Sequence, residues 1–219
     1  MDDRFEAVLA RYRDRIEIER GLWESLPRDE LWSRRDEFLL SVGEEAARLL
    51  HALAVGRRAR RIVELGTSYG YSTLFLADAA RRTGGKVVTF ELAAEKQDYA
   101  RAQLEEAGLA RFVEWRLGDA VTLLKDEAGP IDFVLIDLWK DLYTTCLDLL
   151  YPKLAQNAVI AADNMLSPKS VRPQAEEYRR AVQAKGDLLS VLLPIGQGIE
   201  LSCLWRGGVE GAMGPDGRP

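Results

Sequence analysis

The chain reads as an α/β fold: a seven-stranded, mostly parallel sheet with helices on both faces, the last strand antiparallel, and extra helices at the N-terminus. Three observations predict this. From Arg61 onward, short apolar runs alternate with segments long enough for helices, and strands that are apolar without alternation are those buried on both faces of a parallel sheet. The linker between the last two runs, Pro194-Ile195-Gly196-Gln197-Gly198, is too short for a helical crossover, so those strands pair antiparallel. The first 55 residues carry helical rather than strand patterning.

Taken in order, Asp2 to Arg20 is a charged amphipathic helix, Pro27 breaks it, and Arg28-Asp29-Glu30 opens a second helical stretch. Ser41 is expected to cap a helix over Gly43–Val55, with Leu49, Leu50 and Leu53 on one side. Strands are expected at Ile62–Leu65, Val87–Phe90, Phe112–Trp115, Phe133–Ile136 and Val159–Ala162. Helices are expected at Ser72–Arg82, Ala94–Ala107, Ala120–Asp126, Asp141–Leu150 and Gln174–Lys185, followed by strands Leu188–Leu193 and Ile199–Trp205. Residues 1–207 should form one domain, a helical cap (1–55) on an α/β core (58–207), with 208–219 a loose tail.

With 219 residues, 47% of them hydrophobic and 30% charged, the chain has an ordinary globular composition. Its longest apolar runs fall far short of the roughly 20 residues of a membrane span, and the charged start Met1-Asp2-Asp3-Arg4-Phe5-Glu6 has no signal-peptide core. The expectation is a cytoplasmic protein with no membrane partner. The net charge of −5 argues against a nucleic-acid partner, because phosphate neutralisation needs a basic excess. The cluster Gly56-Arg57-Arg58-Ala59-Arg60-Arg61 reads as a solvated helix–strand junction in preference to an RNA patch. Cys146 and Cys203 form no CxxC pair, and His51, expected on a helix face, is the only histidine. Thiolate zinc sites and HExxH chemistry are thereby excluded.

Ile62-Val63-Glu64-Leu65-Gly66-Thr67-Ser68-Tyr69-Gly70-Tyr71-Ser72 is a strand, a glycine turn and a helix start, a place where ligands approach backbone at a helix N-terminus. A nicotinamide GxGxxG is not met, because residue 68 is Ser. Gly66-Thr67-Ser68-Tyr69-Gly70 matches GxSxG, but no histidine follows Ser68 to complete a hydrolase triad. The third reading is an S-adenosyl-L-methionine site. Glu91 then ends the second strand, where its two oxygens would take ribose hydroxyls.

Ile131-Asp132-Phe133-Val134-Leu135-Ile136-Asp137-Leu138-Trp139-Lys140-Asp141-Leu142-Tyr143, together with Ala161-Ala162-Asp163-Asn164, resembles the cation-dependent catechol and caffeoyl-CoA O-methyltransferases, including their small bacterial relatives. The resemblance extends to Ser41-Val42-Gly43, Glu64-Leu65-Gly66, Gly118-Asp119-Ala120 and Leu193-Pro194-Ile195-Gly196, and covers roughly residues 35 to 205. It implies a Rossmann-like S-adenosylmethionine methyltransferase fold and a single methyltransferase domain. It also implies that Asp137, Asp163 and Asn164 ligate a divalent cation, Mg2+ or else Mn2+ or Ca2+, with Lys140 as general base beside Asp137. Cofactor contacts would come from Val42, Glu64, Gly66, Ser68, Ser72, Glu91, Asp119, Ala120 and Asp137, with S-adenosylhomocysteine as product. Trp139, Lys140 and Asn164 would face a small aromatic diol substrate; taken alone, Trp139 reads equally well as core. Leu138 stands where catechol-type enzymes often carry histidine, and Gln197 where many bacterial relatives carry aspartate.

Two carboxylates and an amide oxygen are hard donors, suited to magnesium, manganese or calcium over zinc or copper. The competing readings are a nucleic-acid methyltransferase on the same sheet and a non-catalytic S-adenosylmethionine-binding protein. Amino-nitrogen methylation usually employs an Asn/Asp-Pro-Pro-aromatic loop, whereas residues 137–140 read Asp-Leu-Trp-Lys. The N-terminal helices are expected to form a substrate lid or a dimer surface, and related bacterial enzymes are often homodimers.

Overall fold

The structure, a computed structural model, describes residues 1–207; the expected tail at 208–219 lies outside them. The first element, α1 (Asp3–Ser25), is capped by the Asp2 carboxylate, which accepts from the Phe5 N–H. α2 (Arg28–Ser33) and a 3-10 turn at Arg35–Glu37 lead through an extended strap to α3 (Glu44–Gly56). Ser41 is not the cap of α3: Gly43 occupies that position in a left-handed conformation (φ 83°), and no side chain bonds the helix start. A residue with φ above zero there favours glycine over serine.

The α/β part follows the expected alternation: β1 (Arg61–Leu65), α4 (Tyr71–Thr83), β2 (Lys86–Glu91), α5 (Ala94–Glu106), β3 (Val113–Leu117), α6 (Ala120–Leu123), β4 (Ile131–Ile136), α7 (Tyr143–Leu150), β5 (Leu154–Ala162), α8 (Arg172–Ala184), β6 (Leu188–Leu193) and β7 (Ile199–Leu204). The sheet order is β3-β2-β1-β4-β5-β7-β6. β1 to β5 pair in parallel, and β7 runs antiparallel to both β5 and β6. Two expected helices are shorter than the pattern suggested. α6 is a single turn ending at Leu123, and α7 starts at Tyr143 after a 3-10 turn over Lys140–Leu142. β5 is longer, starting at Leu154 instead of Val159.

The sheet divides the core in two. Ile62, Phe133, Leu135 and Ala161 face α1, α3 and α4 in one apolar cluster, which includes Phe5, Leu9, Leu50 and Phe75. Val63, Leu65, Val134, Ile136 and Ala162 face α7 and α8 in the other, with Leu147, Leu150 and Val182. At the amino ends of the strands two arginines of the cluster are paired: Arg57 with Asp132 and Arg61 with the buried Glu127. His51 lies on α3, as expected, but its Nε2 is 2.8 Å from an oxygen of the fully buried Asp78 on α4. It fastens two helices together.

Candidate active site

The site lies at the carboxyl ends of the parallel strands, where side-by-side strands of an open sheet release their chains into loops. After β1 the chain turns at Gly66 (φ 99°), and a Cβ placed there would sit 2.0 Å from the Asp137 carbonyl oxygen. Only glycine allows the β1 and β4 loops to come this close. Gly66→Ala is therefore expected to destabilise the fold by about 1–3 kcal/mol, read as a lower urea midpoint. A variant as stable as the parent would contradict the close approach.

Ser68 follows in a left-handed conformation (φ 46°) and donates its N–H to Glu91 Oε2 at 2.7 Å. Leu92 and Ala93 donate their N–H groups to Glu91 Oε1 at 2.9 and 3.0 Å. The carboxylate at the end of β2 is thus fixed by three backbone donors, with Oε2 the freer acceptor. Asp119 caps α6, accepting from Thr122 N (2.8 Å) and Oγ1 (2.6 Å), and these bonds hold its pKa below the usual value.

Glu64 is fully buried under the turn. Its Oε2 accepts from Thr73 and Thr89, both at 2.6 Å, while Oε1 has no partner. Burial raises its pKa to about 7 against the opposing hydroxyl bonds of Thr73, Thr89 and Ser72. An ionised carboxylate stays costly there unless something else meets the bare oxygen.

β4 and β5 end in register, Ile136 opposite Ala162, so Asp137 and Asp163 leave neighbouring strands whose spacing is about 4.8 Å. Asp137 N–H donates to Leu65 O (2.9 Å) and Asp163 N–H to Ile136 O (3.1 Å), which continue the sheet by one residue. Asp163 is 1% exposed, and neither carboxylate oxygen has a hydrogen-bond partner of good geometry, although the Asn164 N–H is near enough to oppose the rise in its pKa. Burial pushes the pKa of Asp163 up, and the charge of Asp137 adds to the shift; burial also raises Asp137. Asn164 is left-handed (φ 53°) and turns the chain away from the sheet. Lys140 is partly buried; burial lowers its ammonium pKa to about 8, opposed by Asp137 and Asp163. Its Nζ donates to the Tyr143 hydroxyl, and that hydroxyl donates to the Asp163 carbonyl at 3.2 Å.

A cleft of about 480 Å³ opens over these strand ends, within the usual range for small-molecule sites. Gly66, Ser68, Glu91, Asp119, Ala120, Asp137 and Trp139 line it. A water-sized hollow adjoins it, lined by Val42, Gly66, Ser68, Ser72 and Asp137. Leu40, Gly66, Ser68 and Asp137 are common to both. Glu64, Lys140, Asp163 and Asn164 line neither; Lys140 and Asp163 are close enough to Asp137 for the three charges to act on one another. Trp139 is 53% exposed, with the Arg35 guanidinium 4.7 Å from its ring centre, so it is not a core side chain.

Sequence reasoning missed three contributors. Leu40 lies on the strap, left-handed at φ 47°, and lines both cavities. Leu92 is a leucine 73% exposed on the cleft wall directly after Glu91. Tyr143 is completely buried against Lys140. Its spacing of three residues from Lys140 on a turn-to-helix start was the available signal.

The family profile described as a methyltransferase domain matches residues 63–165. A catechol O-methyltransferase of Mycobacterium tuberculosis is 32% identical over 154 residues, covering 68% of this chain and 70% of that protein. A catechol O-methyltransferase of Niastella koreensis is 31% identical over 151 residues, 64% of this chain and 68% of that one. The crystal structure of the O-methyltransferase TomG from Streptomyces achromogenes, in complex with SAM, superposes with a TM-score of 0.72 at 25% identity, covering 94% of this chain and 91% of that chain. With the strand-end carboxylates, the glycine turn and these likenesses together, the chain belongs to the cation-dependent O-methyltransferase family of catechol and caffeoyl-CoA type.

Proposed function

We propose that this O-methyltransferase transfers a methyl group from S-adenosylmethionine to one hydroxyl of a small aromatic vicinal diol, with a divalent cation held by Asp137, Asp163 and Asn164 and with Lys140 as general base. The observation that carries the reading is Asp163: a buried carboxylate with both oxygens bare, beside a second raised carboxylate and a depressed lysine. Buried carboxylates are ordinarily paired or bound to metal. Among the described residues no group of three His, Cys, Asp or Glu side chains is placed to hold a metal; the proposed set is two carboxylates and an amide. That all-oxygen set fits magnesium.

When bound, the cation would favour ionised oxygen on two neighbouring hydroxyls of the acceptor. The other tasks fall to the chain. Gly66, Ser68, Ser72 and Val42 would receive the methionine end of the methyl donor, Glu64 would support that turn from beneath, and Glu91 would accept from its ribose. Asp119 and Ala120 would meet the adenine end. Lys140, neutral often enough because burial lowers its pKa to about 8, takes the hydroxyl proton. The acceptor oxygen then forms its bond to the methyl carbon as the carbon–sulfur bond breaks, and sulfur keeps the electron pair. Charge disappears in this step, so positioning and water exclusion matter more than stabilisation of new charge. Trp139 forms an aromatic wall for the acceptor ring.

A screen of catechols with labelled S-adenosylmethionine, with and without magnesium, tests the reading. Methylation of a catechol that EDTA abolishes and magnesium restores is the expected result. Full activity after EDTA treatment would remove the cation from the account, and a tight, salt-sensitive RNA complex would redirect it.

Residues 1–207 are read as one methyltransferase domain acting in the cytoplasm, with 1–55 as the cap. Among the described residues no helix is long and apolar enough to cross a membrane. A homodimer is also part of the reading. Leu189 and Val191 on the edge strand β6 and the nearby Trp205 are 64%, 51% and 50% exposed, and an open apolar edge is a place for a second copy. Light scattering at the mass of one chain would reject it.

A further inference from the structure

We propose that Tyr143 is a positioning residue that aims the lone pair of Lys140 at the acceptor hydroxyl. The inference deepens the reading above and rests on Lys140 being the base.

Tyr143 begins α7 and is 0% exposed. Its ring is fixed edge-to-face against Tyr178, with centroids 5.6 Å apart and planes at 80°. Its hydroxyl donates to the Asp163 carbonyl oxygen at 3.2 Å, and the phenol oxygen accepts from Lys140 Nζ. The same Nζ stands 3.8 Å from the centre of the Tyr143 ring, so the ring closes one side of the amine.

A neutral lysine amine carries two N–H bonds and one lone pair on a freely rotating Cε–Nζ bond. With one N–H fixed on Tyr143 and one side closed by its ring, the lone pair loses most of its alternative directions. It is left on the side of the amine away from the Tyr143 ring, the side the proposal assigns to the acceptor hydroxyl. When the acceptor O–H bond breaks, its proton joins that lone pair and the oxygen keeps the electrons. The resulting ammonium still has Tyr143 as one acceptor, with the carboxylates of Asp137 and Asp163 nearby. Because the Tyr143 proton rests on the backbone of Asp163, the same hydroxyl sets the base relative to the loop that carries the proposed cation ligands.

The test compares Tyr143→Phe with Lys140→Met on two acceptors: catechol, whose hydroxyl must be deprotonated, and 4-nitrocatechol, which is largely ionised near neutral pH and needs no base. Melting temperature and calorimetric binding of S-adenosylhomocysteine are measured alongside. The expected result for Tyr143→Phe is a kcat about tenfold lower on catechol, a fraction of what a general base contributes. On 4-nitrocatechol its deficit is expected to be at most about twofold, with binding of S-adenosylhomocysteine unchanged. Lys140→Met should show the same acceptor dependence, more strongly. Each deficit is a ratio within one acceptor, so the comparison between acceptors does not depend on how much of a variant is folded. Equal deficits of Tyr143→Phe on both acceptors, or none on either, with Lys140→Met still acceptor-dependent, would overturn the role of Tyr143 alone. Lys140→Met showing no acceptor dependence would overturn the base and this inference with it.

Discussion

Asp163→Asn is expected to melt at a higher temperature than the parent protein in EDTA and yet to lose cation-stimulated methyl transfer. The carboxyl group of Asp163 is buried with both oxygens unpartnered, and burial together with Asp137 raises its pKa. An amide of the same shape carries no charge to desolvate, so the cation-free protein should gain about 1–3 kcal/mol near neutral pH. The pH dependence has a definite sign. A carboxyl whose folded pKa is raised binds its proton more tightly in the native state than in the unfolded chain. The cation-free parent should therefore lose stability as pH rises from the ordinary aspartate pKa of about 3.9 toward the raised value, and Asp163→Asn should flatten that loss. Magnesium competes with the same proton, so its stabilising effect on the parent should grow with pH. Thermal melts in EDTA and in magnesium across the acid-to-neutral range check both statements. An Asp163→Asn variant less stable than the parent in EDTA would mean that the carboxylate makes native contacts that the geometry does not show.

Lys140→Ala should slow methyl transfer to catechols by about 10²–10⁴-fold, the usual contribution of a positioned general base. In the cation-free parent burial lowers the amine's pKa to about 8, and a bound cation would offset the two carboxylates that oppose this shift, so kcat should rise with pH and level off at or below that value. Without the lysine, the acceptor hydroxyl must ionise unaided, and the rising limb should move to higher pH. Rates measured against pH with saturating cofactor give both numbers. An unchanged profile would assign the base elsewhere.

The parallel sheet was legible because its central strands carry short apolar runs, Phe133–Ile136 in β4 and Val159–Ala162 in β5, the pattern of strands buried on both faces. The edge strand β3, Val113–Leu117, is half-buried and alternates apolar with charged residues. The reversal of β7 was legible in the five-residue link before it. The strand-end acids were legible only jointly: each alone is as good a cap or turn residue as a ligand, and what distinguishes them is that Ile136 and Ala162 lie opposite one another, a matter of register. Ser41 was misread because cap preference favours serine, whereas the left-handed backbone at Gly43 decided the helix start. α6 stopped early because its cap is followed by only one helical turn before the chain dives back to β4. The bond from His51 to Asp78 and that from Lys140 to Tyr143 are contacts of side chains brought together by packing or turn geometry, which local periodicity does not encode. The strap that carries Leu40 over the cleft was invisible for a related reason. It is held by distant partners: Glu19 accepts from the Leu39 N–H at 2.8 Å, and Arg15 donates to Glu37 O at 2.9 Å.

The most direct test of the account is a calorimetric titration of magnesium into EDTA-stripped protein holding S-adenosylhomocysteine. The account predicts saturable binding to the parent, and its loss in both Asp137→Asn and Asp163→Asn while S-adenosylhomocysteine still binds the Asp163→Asn variant. Magnesium binding of equal strength in parent and Asp163→Asn, or none in the parent, would contradict it.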